Sequence, residues 1–304
     1  MDPHNNKELV SKEKEAYWSP VDQYVGGAEH ATRHLIYARF WHKFLYDIGV
    51  VTTEEPFKRL QHVGLIMGED GKKMGKRFGN TINSNDIVEE YGADALRVYE
   101  MFMGQFNTAT SWDTKSLIGF WRFLEKVWKL KSKVVEEVLD SPDLEVQIHK
   151  TIKKVSKDIE SFKFNTGIAK LMELSNQMQR EDHISKDHYK IFLLLLHPFA
   201  PHITEELWSQ CGESYSIYNA GWPKYEEEKV KTTKSTIGIL INGKVRERIE
   251  VSSNESEEEV KKRVLELEKI QSRVDSNKEL EILYIPGRIF NIITKTKKEN
   301  EIGE

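Results

Sequence analysis

The sequence predicts a multidomain protein: an α/β part, then an all-α helix bundle, then a small α+β domain of ββαββ order. Three observations carry this. The 304 residues suit about two domains, or three small ones, at roughly 150 residues each. Up to residue 115, short apolar runs bounded by glycines alternate with helical periodicity, the pattern of strands joined by helices. Beyond that point the periodicity is helical only, until runs of β-branched residues flank Asn242-Gly243 near the end.

Composition excludes several classes. Hydrophobic residues are 38% and charged residues 31%, enough to build a core and unlike a disordered tail. A net charge of −4 excludes a globally basic nucleic-acid coat protein while leaving local basic patches open. One cysteine, Cys211, excludes an intrachain disulfide and a multi-cysteine zinc site. The longest apolar runs, such as residues 191–196, are too short to span a membrane. The first residues lack the charged and apolar regions of a secretion signal, so a cytoplasmic protein is expected.

Residues 1–115 form the first expected domain. Residues 21–25 are a strand candidate leading to Gly26-Gly27. Leu35, Tyr37, Ala38, Trp41, Phe44 and Leu45 then predict one helix over residues 28–48, with Gly49 as its C-terminal cap. A second strand is expected over residues 60–67, followed by a glycine- and lysine-rich loop at 68–77. Helical patterns resume near Ser84 and over 94–103, split by Gly92. Strand, turn, helix and strand in this order predict a parallel pair joined by a crossover.

Residues 116–222 form the expected bundle. Phe120, Phe123, Leu124, Val127 and Leu130 share one stripe, and Ile152, Val155 and Ile159 begin another after Pro142. Further helices are expected at 165–178 and 189–196, with Pro198 and Pro201 bracketing a kink. Trp121, Trp128, Phe162, Phe164 and Trp208 are read as core, the alternative being base-stacking platforms. Residues 223–233 read as a linker. In 234–296, Asn242-Gly243 predicts a hairpin, Ser256 with Glu259 a capping box opening a helix to Val274, and Pro286-Gly287 a second hairpin. Residues 297–304 are a tail.

Three groups are candidates for chemistry. Gly26-Gly27 after a strand lets backbone approach a ligand, and His30 and His34 fall on one face of the expected helix. A third ligand is missing nearby, so no metal site is expected; the alternative is a structural histidine face. Residues 58–77 hold Lys58, Arg59, Lys72, Lys73, Lys76 and Arg77 against Glu69 and Asp70, a local net of +4. Such a loop suits charge developing on a polyphosphate, or is a solvated charge run. Arg122, Lys126 and Lys129 belong to basic helical stretches that suit a phosphate backbone or a solvent face equally.

Taken in order, several segments carry a resemblance. They are residues 24–30 (YVGGAEH), 37–43 (YARFWHK), 73–77 (KMGKR) with Gly79-Asn80, 90–94 (EYGAD), 164–166 (FNT), 197–202 (HPFAPH), Trp222-Pro223, 242–246 (NGKVR) and 284–287 (YIPG). The set resembles the C-terminal portion of bacterial-type leucyl-tRNA synthetases, class I aminoacyl-tRNA synthetases, over nearly the whole chain. The resemblance implies the second part of a Rossmann-like catalytic domain, an anticodon-binding-type bundle and a small tRNA-contacting C-terminal domain. It implies leucyl-adenylate formation from leucine and ATP, with Mg2+, and transfer of leucine to tRNA(Leu). Gly26, Gly27, Glu29, Leu65, Met74 and Lys76 would face ATP or the adenylate. Tyr24, His30 and His34 would line the leucine pocket. Lys73 and Lys76 would be the catalytic lysines of the KMSKS loop, Lys76 stabilising the pyrophosphate leaving group. Arg122, Lys126, Lys129, Lys244 and Arg246 would contact tRNA.

The sequence departs from the family pattern at Gly75 and Arg77, which stand where the loop has serines, and at Val63, where a glutamine is expected. It has no HIGH motif, no first Rossmann half and no editing domain. The expected partner is therefore an N-terminal synthetase half carrying those parts. Two other readings stay open: a tRNA-binding module without chemistry, and a truncated gene product.

Overall fold

The computed structural model describes residues 1–136, 141–230, 234–252, 255–273, 279–285 and 289–295. The chain divides into two compact units, Met1–Tyr225 and Glu226–Glu304.

The first unit opens with helix α1, Lys12–Trp18, and strand β1, Tyr24–Gly27. A 3-10 turn at Ala28–Thr32 precedes α2, His34–Asp47. Strand β2, Leu60–Val63, pairs parallel with β1 in the register Tyr24↔Leu60 to Gly27↔Val63, as the crossover pattern predicts. Three details differ from expectation. Strand β1 begins at Tyr24, so Gly26 and Gly27 belong to it. The expected helix over 28–48 is broken at Arg33, whose φ of −129° and ψ of −106° are not helical. The expected strand over 60–67 is two pieces, β2 and β3, Ile66–Met67.

The second break has a steric cause. Gly64 donates its N–H to the Phe106 carbonyl at 2.7 Å, and a Cβ on Gly64 would lie 2.0 Å from the Thr108 carbonyl oxygen. Backbone occupies the space, and no side-chain rotation can relieve it. Gly64→Ala is expected to destabilise the first unit by about 3 kcal/mol, read as a lower urea midpoint. An unchanged midpoint would remove the reason given for the break.

Helices α3, Ser84–Tyr91, and α4, Ala93–Phe102, meet at Gly92, whose φ of +87° favours glycine. Strand β4, Thr110–Ser111, pairs parallel with β3 and leads into α5, Thr114–Leu130, capped by the Asp113 side chain. After the short strand β5, Val134–Val135, come α6, Pro142–Glu160, and α7, Phe164–Met178. Strand β6, Ile184–Ser185, pairs with β5, and α8, Lys186–Leu196, and α9, Pro201–Gln210, complete the bundle. Its core runs from Ile87 to Ile217 and includes Phe120, Phe123, Val127, Ile152, Leu171, Phe192 and Trp208.

Two charged side chains of α4, the buried Asp94 and the exposed Arg97, join it to this bundle. Asp94, 7% exposed, accepts hydrogen bonds from the backbone N–H of Ile203 (2.7 Å) and from the His202 ring Nδ1 (2.7 Å). Arg97 donates to the carbonyls of Pro198 and Phe199. The kink expected between the two prolines is thus held by side chains of the α/β part.

Trp121 and Trp128 depart from the core reading, being 38% and 46% exposed on α5. The helix buries the positions of the 117, 120, 124 and 127 stripe, and both tryptophans lie off it. Phe162 and Phe164 are half-buried, and Trp208 is buried as expected.

The second unit has a short helix α10, Glu227–Val230, and a four-stranded sheet of order β8-β7-β10-β9. Its strands are β7, Lys234–Ile241; β8, Lys244–Ser252; β9, Glu279–Ile285; and β10, Ile289–Lys295. The β7–β8 and β9–β10 pairs are antiparallel, and β7–β10 is parallel. Asn242 and Gly243, with φ of 50° and 78°, make the tight turn that their dipeptide predicts. The Ser256–Glu259 capping box is present, but the expected helix is two short ones, α11, Glu257–Leu265, and α12, Glu268–Gln271. Val260, Val264 and Ile270 from these helices pack with Ile237, Ile239, Phe290 and Ile292 of the sheet. Residues 231–233 of the linker, Val274 at the expected helix end, Pro286-Gly287 and the 297–304 tail lie outside the described residues.

Candidate active site

The end of β1 brings together residues that the sequence separates. The Tyr24 hydroxyl lies 3.0 Å from His34 Nδ1, and the two rings stack at 5.4 Å with an interplanar angle of 13°. Phe57, which sequence reasoning missed, packs against Tyr24 at 4.8 Å. Tyr37 meets His34 edge-on at 5.3 Å. His30 reaches the same place from the 3-10 turn: a Cβ on Gly26 would meet Tyr24 Cε1 at 3.1 Å and His30 Cδ2 at 3.6 Å. The absence of a side chain at Gly26 is what lets the tyrosine and the imidazole close over the strand. His30 and His34 share this wall even though they do not share a helix.

Two polar features at the wall have unused capacity. His30 Nδ1 is buried without a hydrogen-bond partner, a state native proteins keep for ligands or strain. The Glu29 carboxylate lies against Gly27, where a Cβ would come within 2.2 Å of Oε2. The strand end is therefore a glycine floor with a carboxylate on one side and a tyrosine–imidazole wall on the other. Such a floor accepts a flat or polar ligand at backbone distance.

The lysine loop has its own scaffold. Gly68 donates to the Lys72 carbonyl (2.8 Å), and Gly71 (φ +70°) closes the turn. Asn80 clips the loop from the far side. Its carboxamide accepts from the Gly75 N–H (3.0 Å) and donates to Asp70 Oδ1 (3.2 Å) and to the Lys73 carbonyl (3.3 Å). The Lys72 N–H and Asn80 hold the Asp70 carboxyl below its usual range. Lys76 begins a 3-10 turn, Lys76–Phe78, ended by Gly79 at φ +65°. The ammonium groups of Lys73 and Lys76 are exposed, with no ion pair or hydrogen bond among the described residues. Arg77 spends its guanidinium over the Phe78 ring at 4.4 Å. The loop thus presents two unspent ammonium groups from a braced backbone, an arrangement suited to a polyphosphate.

The loop is also tied to the bundle. Trp112 N–H donates to the Met67 carbonyl (3.0 Å), and the Thr114 hydroxyl donates to Glu69 (2.8 Å) at the first turn of α5. Met74 is half-buried against the bundle core, and Leu65 is 43% exposed between β2 and β3. No hydrogen bond, ion pair or ring contact joins Lys73 or Lys76 to the Tyr24–His34 wall among the described residues. Among those residues there is also no group of three His, Cys, Asp or Glu side chains able to hold a metal ion.

Arg122, Lys126 and Lys129 lie exposed along α5. In the second unit Lys244 and Arg246 are exposed at alternate positions of β8, and Arg248 continues the series. Period-two spacing would have found Arg248. Asn80 carried a weaker signal, an Asx residue beside a glycine in a turn-rich stretch.

Comparison with known proteins gives this arrangement a context. Residues 11–113 match the family of class I tRNA synthetases (I, L, M and V), and residues 143–262 match the anticodon-binding domain of tRNA ligases. The parallel strand pair, the glycine floor and the braced lysine loop all fall in the first of these stretches. Over that stretch the chain is similar to class I tRNA synthetases. Within that class it is a homologue of leucine–tRNA ligase. It is 45% identical over 294 residues to the leucine–tRNA ligase of Alkaliphilus oremlandii (strain OhILAs), a match covering 97% of this chain and 37% of that protein. The crystal structure of the agnB2 LeuRS-tRNA-LeuAMS ternary complex of Agrobacterium radiobacter K84 superimposes with a TM-score of 0.75 at 32% identity. That match covers 92% of this chain and 39% of the other. A methionyl-tRNA synthetase of Mycobacterium tuberculosis in complex with methionyl-adenylate gives a TM-score of 0.49 at 14% identity, over 72% of this chain and 53% of that one. The chain thus spans well under half the length of the leucine–tRNA ligases it matches.

Proposed function

We propose that this chain supplies one side of the active site of a leucine–tRNA ligase, acting in the cytoplasm on leucine, ATP and tRNA(Leu). The observation that carries the reading is the wall at the end of β1, where Tyr24, His30 and His34 close over Gly26 beside the Glu29 carboxylate. In this reading the leucine side chain packs against Tyr24, His34 and His30, and the adenosine lies on Gly26 and Gly27 with Glu29 and Leu65 at its edge. Leucine's carboxylate attacks the α-phosphorus of ATP, the α–β bridging bond breaks, and pyrophosphate leaves. Lys73 and Lys76 neutralise the charge that grows on it. Any Mg2+ would arrive with the nucleotide phosphates. The basic faces of α5 and β8 hold tRNA.

The reading requires a second polypeptide segment. Val51 is the only buried apolar residue in residues 1–86, and α2 buries none of its residues. The part of the relatives that this chain does not match, including the HIGH-bearing half, is the expected cover.

Leucine-dependent ATP–pyrophosphate exchange tests the proposal, with this chain mixed with that missing portion. Exchange is expected in the mixture. His34→Ala should raise the leucine KM by about tenfold or more with a smaller change for ATP. An unchanged leucine KM would place His34 outside the pocket, and no exchange from a folded, associated pair would overturn the function.

A further inference from the structure

A cleft of about 480 Å3 opens where β2, the turn at 105–107 and the α6–α7 elbow meet. Its walls carry four carboxamides, Gln61, Gln105, Asn107 and Asn165, together with Lys163 and the ring of Phe162. Each carboxamide is donor and acceptor at once, the complement of a nucleobase edge. Gln105 and Asn165 spend neither function on the protein among the described residues, and Gln61 spends one N–H on the His62 carbonyl at 3.1 Å.

The elbow that shapes this cleft is rigid. Phe162 has a φ of 56°, a left-handed conformation that a bulky residue adopts only under constraint. The constraint is a cluster of rings: Phe162 lies 5.1 Å from Phe106 and 5.3 Å from Phe164, and Phe106 lies 5.2 Å from Phe164. The Arg59 guanidinium sits over the Phe162 ring at 5.8 Å. No carboxylate lines the cleft among the described residues. Asp158, close by on α6, is buried, paired with Lys154 and bonded to the Thr166 hydroxyl at 2.6 Å. One lining cation, a ring and unspent carboxamides therefore meet in a cleft whose described lining carries no carboxylate.

From this we infer that the cleft binds an unpaired nucleotide of the RNA substrate, its base held by the carboxamides and the Phe162 ring and its phosphate by Lys163. The assignment rests on the tRNA reading proposed above. A lipid segment would need a predominantly apolar lining, whereas most of the residues around this cleft are polar. A lone small anion would leave four carboxamides unused. The position fits a polynucleotide, because β2 is hydrogen-bonded to the strand that bears the candidate active site and the elbow belongs to the bundle.

Filter binding of a tRNA(Leu) transcript across a salt series tests this, using the full chain, Gln105→Glu, Lys163→Glu and the charge-preserving Lys163→Arg. Gln105 and Lys163 are exposed, so thermal melts should be unchanged. Each glutamate variant should bind about tenfold more weakly near 0.1 M salt, and Lys163→Glu should lower the slope of log K against log salt by about 1. Lys163→Arg should bind as the parent does. Parent-like affinity and slope in both glutamate variants would overturn the cleft and leave the tRNA reading standing. Failure of the parent chain to bind the transcript even at low salt would overturn both. Equal competition by duplex RNA would overturn the unpaired-nucleotide assignment.

Discussion

Lys76→Ala is expected to slow leucine-dependent ATP–pyrophosphate exchange by about a hundred- to a thousandfold, about 3–4 kcal/mol of transition-state stabilisation, while leaving the fold unchanged. The expectation follows from how the loop spends its charges. Arg77 is engaged with Phe78, and Asp70 is held by Asn80 and the Lys72 N–H, whereas the Lys73 and Lys76 ammonium groups are unspent. A charge already paired would lose most of its value to a developing pyrophosphate, and an unpaired one on a braced backbone keeps it. The Lys76 side chain makes no packing contact that the core needs, being exposed on a short 3-10 turn. The loss should therefore fall on kcat rather than on the leucine KM, and Lys76→Arg should recover part of it. Parent-like exchange rates in the alanine variant would sink the assigned role.

The glycine at position 75 bears on the same loop. The resemblance leads one to expect a serine at position 75, and a Cβ on Gly75 would come within 3.1 Å of the Phe78 ring. Gly75 N–H also donates to Asn80. The departure thus accompanies a loop that Phe78 packs down and Asn80 clips, and Arg77 contributes its stacking partner.

How legible this was depends on the range of the interaction. Local chemistry could be read directly: Asn242-Gly243 made its turn, Ser256 with Glu259 its capping box, and the Phe120–Leu130 stripe its buried face. The break at Arg33 was invisible because the apolar periodicity on either side of it is continuous. Its effect is long-range in character: the break lets His30 close over Gly26 from a 3-10 turn. The split of the 60–67 segment was hidden for a similar reason, since its cause is the Thr108 backbone more than forty residues away. Trp121 and Trp128 misled because tryptophan is usually buried, whereas on α5 both fall outside the buried stripe. At the site, the order of motifs pointed to Tyr24, His30 and His34 and placed Gly79-Asn80 beside the lysine loop, but Phe57 and the Gln61–Asn165 cleft come from distant segments with no common spacing.

The α2 face carries the second large effect. In the exchange mixture, replacing Phe40 and Trp41 together by aspartate is expected to weaken association with the missing portion by about a hundredfold or more, and to abolish exchange at concentrations where the parent chain is active. Ile36, Tyr37, Phe40, Trp41 and Phe44 are between 45% and 68% exposed along one 14-residue helix that buries nothing. Arg39 and Lys43 are already committed to Glu54 and Glu55, and His42 to the Thr53 carbonyl, so polar contacts with residues 53–55 fix the helix while its apolar residues stay open. Arg39 and Lys43 hold the Glu55 carboxyl down at about 2, so this anchor stays ionised across the whole working pH range. The sheet behind it tells the same story. Parallel strands are normally covered on both faces, and β1 and β2 here form a sheet of two. Two aspartates placed in a face of this kind would be buried without partners on association, at about 2 kcal/mol or more each, yet would be harmless in the free chain. Melting of the variant alone should thus match the parent while exchange is lost. Full exchange with the double variant would mean that the apolar face of α2 is not where the missing portion docks.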